Sequence, residues 1–269
     1  MGVTRRDALK STAAGAGIAT LAAAGSAPAH AQGKGRTFVL VHGSWHGGWC
    51  WARVRDILAA KGHRVLTPTL TGLADRSHLL ASSINMDTHI ADVVNLYKWE
   101  DLESTVLVGH SYGGWPISGA VEKIGAQVAS IVFLDAFLPE NGQKLLDITP
   151  ERLRGPLLEA AAKGEPGRPI PPATSFQVKD PKDVAWVQAK LTMQPVGSAL
   201  QPIVLTGARE KVAKKTYIRA AEYPNPLFDS YVAKLRADPS WKTYELKDTG
   251  HDVMVDAPDR LAKILEDVA

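Results

Sequence analysis

The chain has 269 residues, 45% of them hydrophobic and 22% charged, an ordinary globular composition with enough length for a sizeable buried core. A formal net charge of +3 gives no argument for nucleic acid or an acidic partner. Cys50 is the single cysteine, which excludes an internal disulfide and a cysteine-based metal site; between Trp49 and Trp51 it reads as a small packed residue.

The chain opens with Thr4-Arg5-Arg6-Asp7-Ala8-Leu9-Lys10, an Ala/Gly-rich run from Ala13 to Ala24, and Ala29-His30-Ala31. A basic, a weakly apolar and a small-x-small segment in that order read as a cleavable export signal. The arginine pair resembles a twin-arginine signal, the bacterial route for folded proteins, with Ala8 where a Phe is more usual. The run holds only Ile18 and Leu21 among Ala, Gly and Thr, and it is shorter than the roughly 20 apolar residues of a membrane span. The expected division is therefore residues 1–31 as a leader passed to the twin-arginine machinery and residues 32–269 as an exported domain, periplasmic or secreted. The leader takes three of the 31 basic residues and one of the 28 acidic ones, which brings the net charge from +3 to +1.

Beyond it, short apolar runs alternate with helical patterns. Thr37–Val41 reads as a strand, Trp49–Lys61 as a helix and Arg64–Pro68 as a strand; Asp87–Trp99 is amphipathic, with Ile90, Val93, Val94 and Tyr97 on one face. Val106-Leu107-Val108 is a buried strand, followed by a helix from Ser111 to about Ile124, and Ile131–Leu134 is the next strand. Thr216–Ala220 and Thr243–Leu246 complete a set of six, each followed by a helical stretch. Strands alternating with helices argue for an α/β fold with a mostly parallel six-stranded sheet covered on both faces. The Pro-rich stretch from about 139 to 214 is too long for a crossover and is expected to form a small helical cap after the fourth strand, burying Leu145, Leu146, Leu153, Leu157, Leu158, Val184, Trp186 and Leu191. Insertions at the carboxyl edge of such sheets commonly shape the substrate pocket.

Gly109-His110-Ser111-Tyr112-Gly113 is a G-x-S-x-G between a strand and a helix. Such a turn needs glycines because the serine backbone is strained and neighbouring side chains would collide, and it lifts the hydroxyl to the top of the sheet. A serine hydroxyl is a poor nucleophile without a base and an orienting acid. Of eight histidines, only His251 follows the elbow, in a glycine-containing loop after the last strand, where the chain order serine, acid, histidine places the base. The acid has two candidates: Asp135, ending the Ile131–Leu134 strand, and Glu222, just past the next strand; Asp135 is favoured. The expected oxyanion donors are the backbone N–H groups of Tyr112 and of Ser44, in the turn after the first strand. Trp45 and Trp115 lie near enough in sequence to line a substrate pocket.

These stretches, Phe38 to Trp51, Leu70 to Leu73, Val106 to Gly114, Phe133 to Pro139 and Gly250 to Met254, resemble the α/β-hydrolases, in particular the branch of plant methylesterases and hydroxynitrile lyases with related bacterial esterases. The resemblance implies an α/β-hydrolase fold with a small cap and a cofactor-free, metal-free triad that cleaves an ester of a small apolar substrate. The plant members carry their acid after the strand matching Thr216–Ala220, where this chain has Ala221-Glu222-Tyr223-Pro224. The lyases resemble each other in a Thr after the first-strand His and a Lys after the catalytic His; Gly43 and Asp252 stand there. That weighs against the alternatives of a hydroxynitrile-lyase-like enzyme and, given a complete set of triad candidates, of a non-catalytic small-molecule receptor. The partners expected are the small-molecule substrate and the export machinery, with no nucleic acid and no stable membrane span.

Overall fold

The computed structural model describes residues 35–269, and the expected leader, 1–31, lies outside the described residues. Six strands, β1 (Thr37–Val41), β2 (Arg64–Leu66), β3 (Thr105–His110), β4 (Val128–Leu134), β5 (Lys214–Ala220) and β6 (Trp241–Leu246), form one sheet in the order β2-β1-β3-β4-β5-β6. Every neighbouring pair is parallel, so the strands expected from the sequence all belong to this sheet. β2 is shorter than expected, stopping before Pro68, whose nitrogen has no hydrogen to give a ladder.

Alternation along the strands divides the core in two, because successive side chains leave opposite faces. Val39, Leu107, Ile131, Phe133 and Tyr217 pack on one face with helices α2 (Met86–Trp99) and α3 (Gly114–Ile124). Phe38, Leu40, Val106, Val132 and Ile218 pack on the other with α1 (Ala52–Ala60) and the C-terminal Pro258–Asp267 helix. Helix α2 starts in a reciprocal capping box between Asn85 and Thr88, which satisfies donors that the first turn leaves without partners.

Parallel pairing brings every strand's carboxyl end to one edge. Val41 lies beside Gly109, His110 beside Leu134, and Ala220 beside Leu246. The chain runs outward from β1 to β2 and then returns to the other side of β1 as β3. That reversal opens a crevice between the β1 and β3 ends, where open α/β sheets bind ligands.

Between β4 and β5 the chain forms α4 (Glu151–Ala162), α5 (Pro181–Gln188) and a two-residue antiparallel ribbon of Gly167–Arg168 with Gln194–Pro195. Leu145, Leu157 and Leu191 are buried there, but Leu153 and Leu158 stay about half exposed, at 50% and 47%. Leu153 instead lines the cavity between this segment and the sheet edge.

Candidate active site

Ser111 stands on a 3-10 turn (Ser111–Gly113) between β3 and α3, so the α-helix proper begins at Gly114 rather than at the serine. Its φ is +53°, a left-handed conformation that costs a residue with a Cβ about 1–2 kcal/mol. The flanking glycines make room for it. A Cβ on Gly109 would lie 2.7 Å from the Gly113 carbonyl oxygen, and one on Gly113 would lie 2.8 Å from the carbonyl oxygens of Val41 and His42. The Phe137 N–H donates to the Ser111 carbonyl at 3.1 Å, tying the turn to the chain after β4.

The Ser111 hydroxyl donates to His251 Nε2 at 2.8 Å, and His251 Nδ1–H donates to Asp135 Oδ2 at 2.6 Å. Asp135 is fully buried. Its second oxygen accepts from Arg219 Nη1 at 2.7 Å and from the Ala220 N–H at 3.1 Å, so both oxygens have partners, as a buried carboxylate requires. Burial lowers the Arg219 pKa, but Asp135 and Asp229 outweigh it and raise the pKa above its ordinary value. Glu222, the other candidate acid, sits at the surface, where it pairs with Lys179 at 2.7 Å and accepts from the Asp248 N–H; it does not reach His251.

Aromatic rings hold the imidazole in place. Tyr223 stacks on His251 with centroids 4.3 Å apart, and Phe176 and Phe228 lie at 6.2 and 6.1 Å. The His251 N–H donates to the Phe176 carbonyl at 2.8 Å, and the His251 carbonyl accepts from His110 Nε2–H at 3.0 Å. Burial, then the neighbouring His251, push the His110 pKa well below its ordinary value, so His110 serves as a neutral strut. His42 is pulled down to about 3 by burial and fixes the β1 turn as a neutral ring, giving Nδ1–H to the Gly43 carbonyl and accepting from the Leu70 N–H.

The Ser44 turn abuts the nucleophile: a Cβ on Gly43 would come within 2.9 Å of the Ser111 Cβ. Ser44 and Trp45 line a cavity of about 260 Å³ together with Ser111, His251, Phe137 and Phe228. Trp115 does not line it. Its ring is fully buried in the core on the α2 face of the sheet, because position 115, in the first turn of α3, points away from the sheet edge. The pocket reading of Trp115 is therefore corrected to core packing.

Behind this constellation lie residues that sequence reasoning did not assign. Asp252, fully buried, accepts from His46 Nε2–H at 3.1 Å, while His46 Nδ1–H donates to the Ser44 carbonyl at 2.8 Å. Only an imidazolium supplies both protons. Burial lowers the His46 pKa, yet the Asp252 charge and hydrogen bond and the Ser44 carbonyl override it and leave the pKa raised. Arg219 carried a usable signal, a cation within the apolar carboxyl end of β5, Tyr217-Ile218-Arg219-Ala220. The His46–Asp252 pair spans most of the chain and left none. Among the described residues, no three His, Cys, Asp or Glu side chains converge as a metal site requires, and no helix is long and apolar enough to cross a membrane.

A strand-to-helix serine hydrogen-bonded to a histidine from the last loop, on a parallel sheet, defines a class, and the profile of the alpha/beta hydrolase family matches residues 38–264; the chain belongs to that family. It is 40% identical over 240 residues to the carbendazim hydrolyzing esterase of Nocardioides sp. (strain SG-4G), covering 85% of this chain and 97% of that protein. It is 27% identical to putative methylesterase 13, chloroplastic, of Arabidopsis thaliana, over 87% of this chain but only 56% of that one. Among solved structures, an extracellular α/β-hydrolase from a Paenibacillus species superimposes with a TM-score of 0.74 at 22% identity, covering 87% of this chain and 99% of that one.

Proposed function

We propose that this protein is a carboxylic-ester hydrolase working through an acyl-enzyme on Ser111. The observation that carries the reading is the unbroken hydrogen-bond line from Ser111 Oγ through His251 to Asp135. Ser111 attacks the ester carbonyl as His251 Nε2 takes its proton. Asp135 holds the imidazole in the tautomer with Nδ1 protonated and balances the imidazolium. The oxyanion of the tetrahedral intermediate falls to the N–H groups of Ser44 and Tyr112, each such donor being worth about 3–4 kcal/mol. His251 then protonates the leaving alcohol, and water enters by the same route to release the acid.

The similarity to the carbendazim hydrolyzing esterase of Nocardioides and to putative methylesterase 13 of Arabidopsis supports ester cleavage. The lyase reading loses support, since the residue after His251 is Asp252, turned to His46. Residues 1–31 are proposed to be a twin-arginine export signal, so that the working enzyme is periplasmic or secreted.

The test is covalent labelling with a fluorophosphonate together with release of p-nitrophenol from short acyl esters. Both are expected in the wild type, and Ser111→Ala should lose labelling and lower turnover by at least about a thousandfold. A wild type that binds ester ligands but neither labels nor turns over would make the protein a receptor instead.

A further inference from the structure

The catalytic cavity has an unusual charge balance. Two arginines, Arg152 and Arg168, contribute to its lining and no carboxylate does. Arg152 is exposed at the mouth, whereas Arg168 belongs to the cap ribbon, its backbone paired with Gln194. The Arg168 guanidinium lies 5.0 Å over the ring of Trp45. Trp45 is itself fixed from both ends: its backbone N–H donates to Gln194 Oε1 and its indole N–H to the Pro169 carbonyl, each at 3.0 Å.

Among the described residues, the guanidinium has no counter-ion. Its Nε and Nη2 are buried and have no hydrogen-bond partner. Burial lowers its pKa to about 10, still far above neutrality, so the group stays cationic. The phenol of Tyr112, close enough to influence it, is held neutral because burial raises the phenol pKa. Arg168 also lines a second cavity of about 400 Å³ beneath α4, which shares Trp45, Thr149 and Leu153 with the first. Of the carboxylates on that cavity, Glu159 is paired with Lys163 at 2.7 Å and Glu165 is exposed and forms no ion pair with Arg168. Buried guanidinium nitrogens without partners are costly. Arg168 contributes to the lining of both cavities, and a planar guanidinium is the group that binds a carboxylate through two parallel hydrogen bonds.

We propose that Arg168 is the anion-binding group of the substrate site, and that the preferred substrates are esters carrying a carboxylate at the end remote from the scissile bond, such as half esters of dicarboxylic acids. The aromatic and aliphatic lining takes the apolar body of such a molecule, the ester lies at Ser111, and the free carboxylate reaches the junction of the two cavities. The substrate class rests on the ester-hydrolase reading, but anion binding by Arg168 does not.

The test therefore measures binding and turnover separately. Calorimetry on Ser111→Ala compares the monomethyl esters of adipic, suberic and sebacic acid with their neutral dimethyl esters. At least one half ester is expected to bind about tenfold or more tighter than its dimethyl counterpart, the size of a charge-assisted pair. Adding Arg168→Met should bring that ratio close to one, and Arg168→Lys should keep part of it, since the charge remains while the fork is lost. Equal affinity for half esters and dimethyl esters with Arg168 in place overturns the proposal, whether or not the Arg168 variants fold; so does a full preference retained in Arg168→Met. Turnover by the wild type separates the two readings. Charge-selective binding without methanol release or fluorophosphonate labelling overturns the ester reading and leaves the anion site standing. Methanol release from half and dimethyl esters at equal kcat/KM overturns the anion site and leaves the esterase standing.

Discussion

Three residues with side chains hold positive φ just after neighbouring strands: Trp45 at 64° after β1, Ser111 at 53° after β3 and Asp135 at 43° after β4. Strain of this kind persists only where the surroundings overdetermine it, and it gathers at functional sites. Each strained residue here is pinned by hydrogen bonds that also aim its side chain or its neighbour's. Asp135→Asn keeps the size of the side chain but loses the charge that balances the imidazolium. Its kcat is expected to fall by about 10⁴-fold, the effect of amidating the acid of such a triad. Glu222→Gln, tied to Lys179 at the surface, should leave kcat within about twofold, as a surface change of this kind does; steady-state kinetics on the two variants decides which carboxylate acts. The buried His46–Asp252 pair gives a pH signature. The raised His46 pKa means that its stabilisation is complete below the ordinary value of 6.5 and lost as pH rises through the elevated value. The lowered Asp252 pKa places the acid-side loss below its ordinary 3.8. Asp252→Asn should therefore destabilise by up to about 3 kcal/mol near pH 5 to 6. The gap in unfolding midpoint between variant and wild type should narrow in alkaline buffer. A gap that stays constant across that range would show that the pair is not ionised.

At the scale of elements, the catalytic histidine is held by the cap as well as by the sheet. Its backbone N–H donates to the Phe176 carbonyl, and a Cβ on Gly250 would lie 2.2 Å from the Gln177 carbonyl oxygen. That oxygen, the Gln177 carbonyl carbon at 2.5 Å and the Phe176 carbonyl oxygen at 2.6 Å are all backbone, so none yields cheaply. Gly250→Ala should cost about 1–3 kcal/mol, the usual penalty of overpacking, and should lower kcat more than it raises KM, because it moves the His251 loop relative to Ser111. Unaltered kinetics with unaltered stability would mean that cap and loop shift together freely. This contact also marks what could be read from the chain. The sheet strands were readable because alternating and continuous apolar runs are local signals, and the elbow because its glycines answer to contacts within a few residues. The cap was readable as a helical insertion, but the way each of its side chains points was not. Leu153 looked like a core residue but faces the cavity, and Trp115 looked like pocket wall but is core. Which way each points depends on packing between distant segments, and the same holds for His46 with Asp252.

At the scale of the whole molecule, nothing in the described fold depends on an oxidising compartment. The one cysteine is buried with its pKa raised well above the ordinary value by burial, so it persists as a packed thiol. Under the export proposal the domain would reach its native state in the cytoplasm first, since the twin-arginine route carries folded cargo. The export reading then makes a prediction that ordinary secretion does not share. With the full chain expressed in a bacterium that has this route, the wild type should appear in the periplasmic fraction with a mature terminus near Gln32. Changing both Arg5 and Arg6 to Lys should retain the precursor in the cytoplasm, folded and as reactive to a fluorophosphonate as the exported enzyme. Export of the double-lysine variant at wild-type levels would assign residues 1–31 to another route. A retained precursor that is inactive and protease-sensitive would show instead that the domain needs the exported compartment to fold.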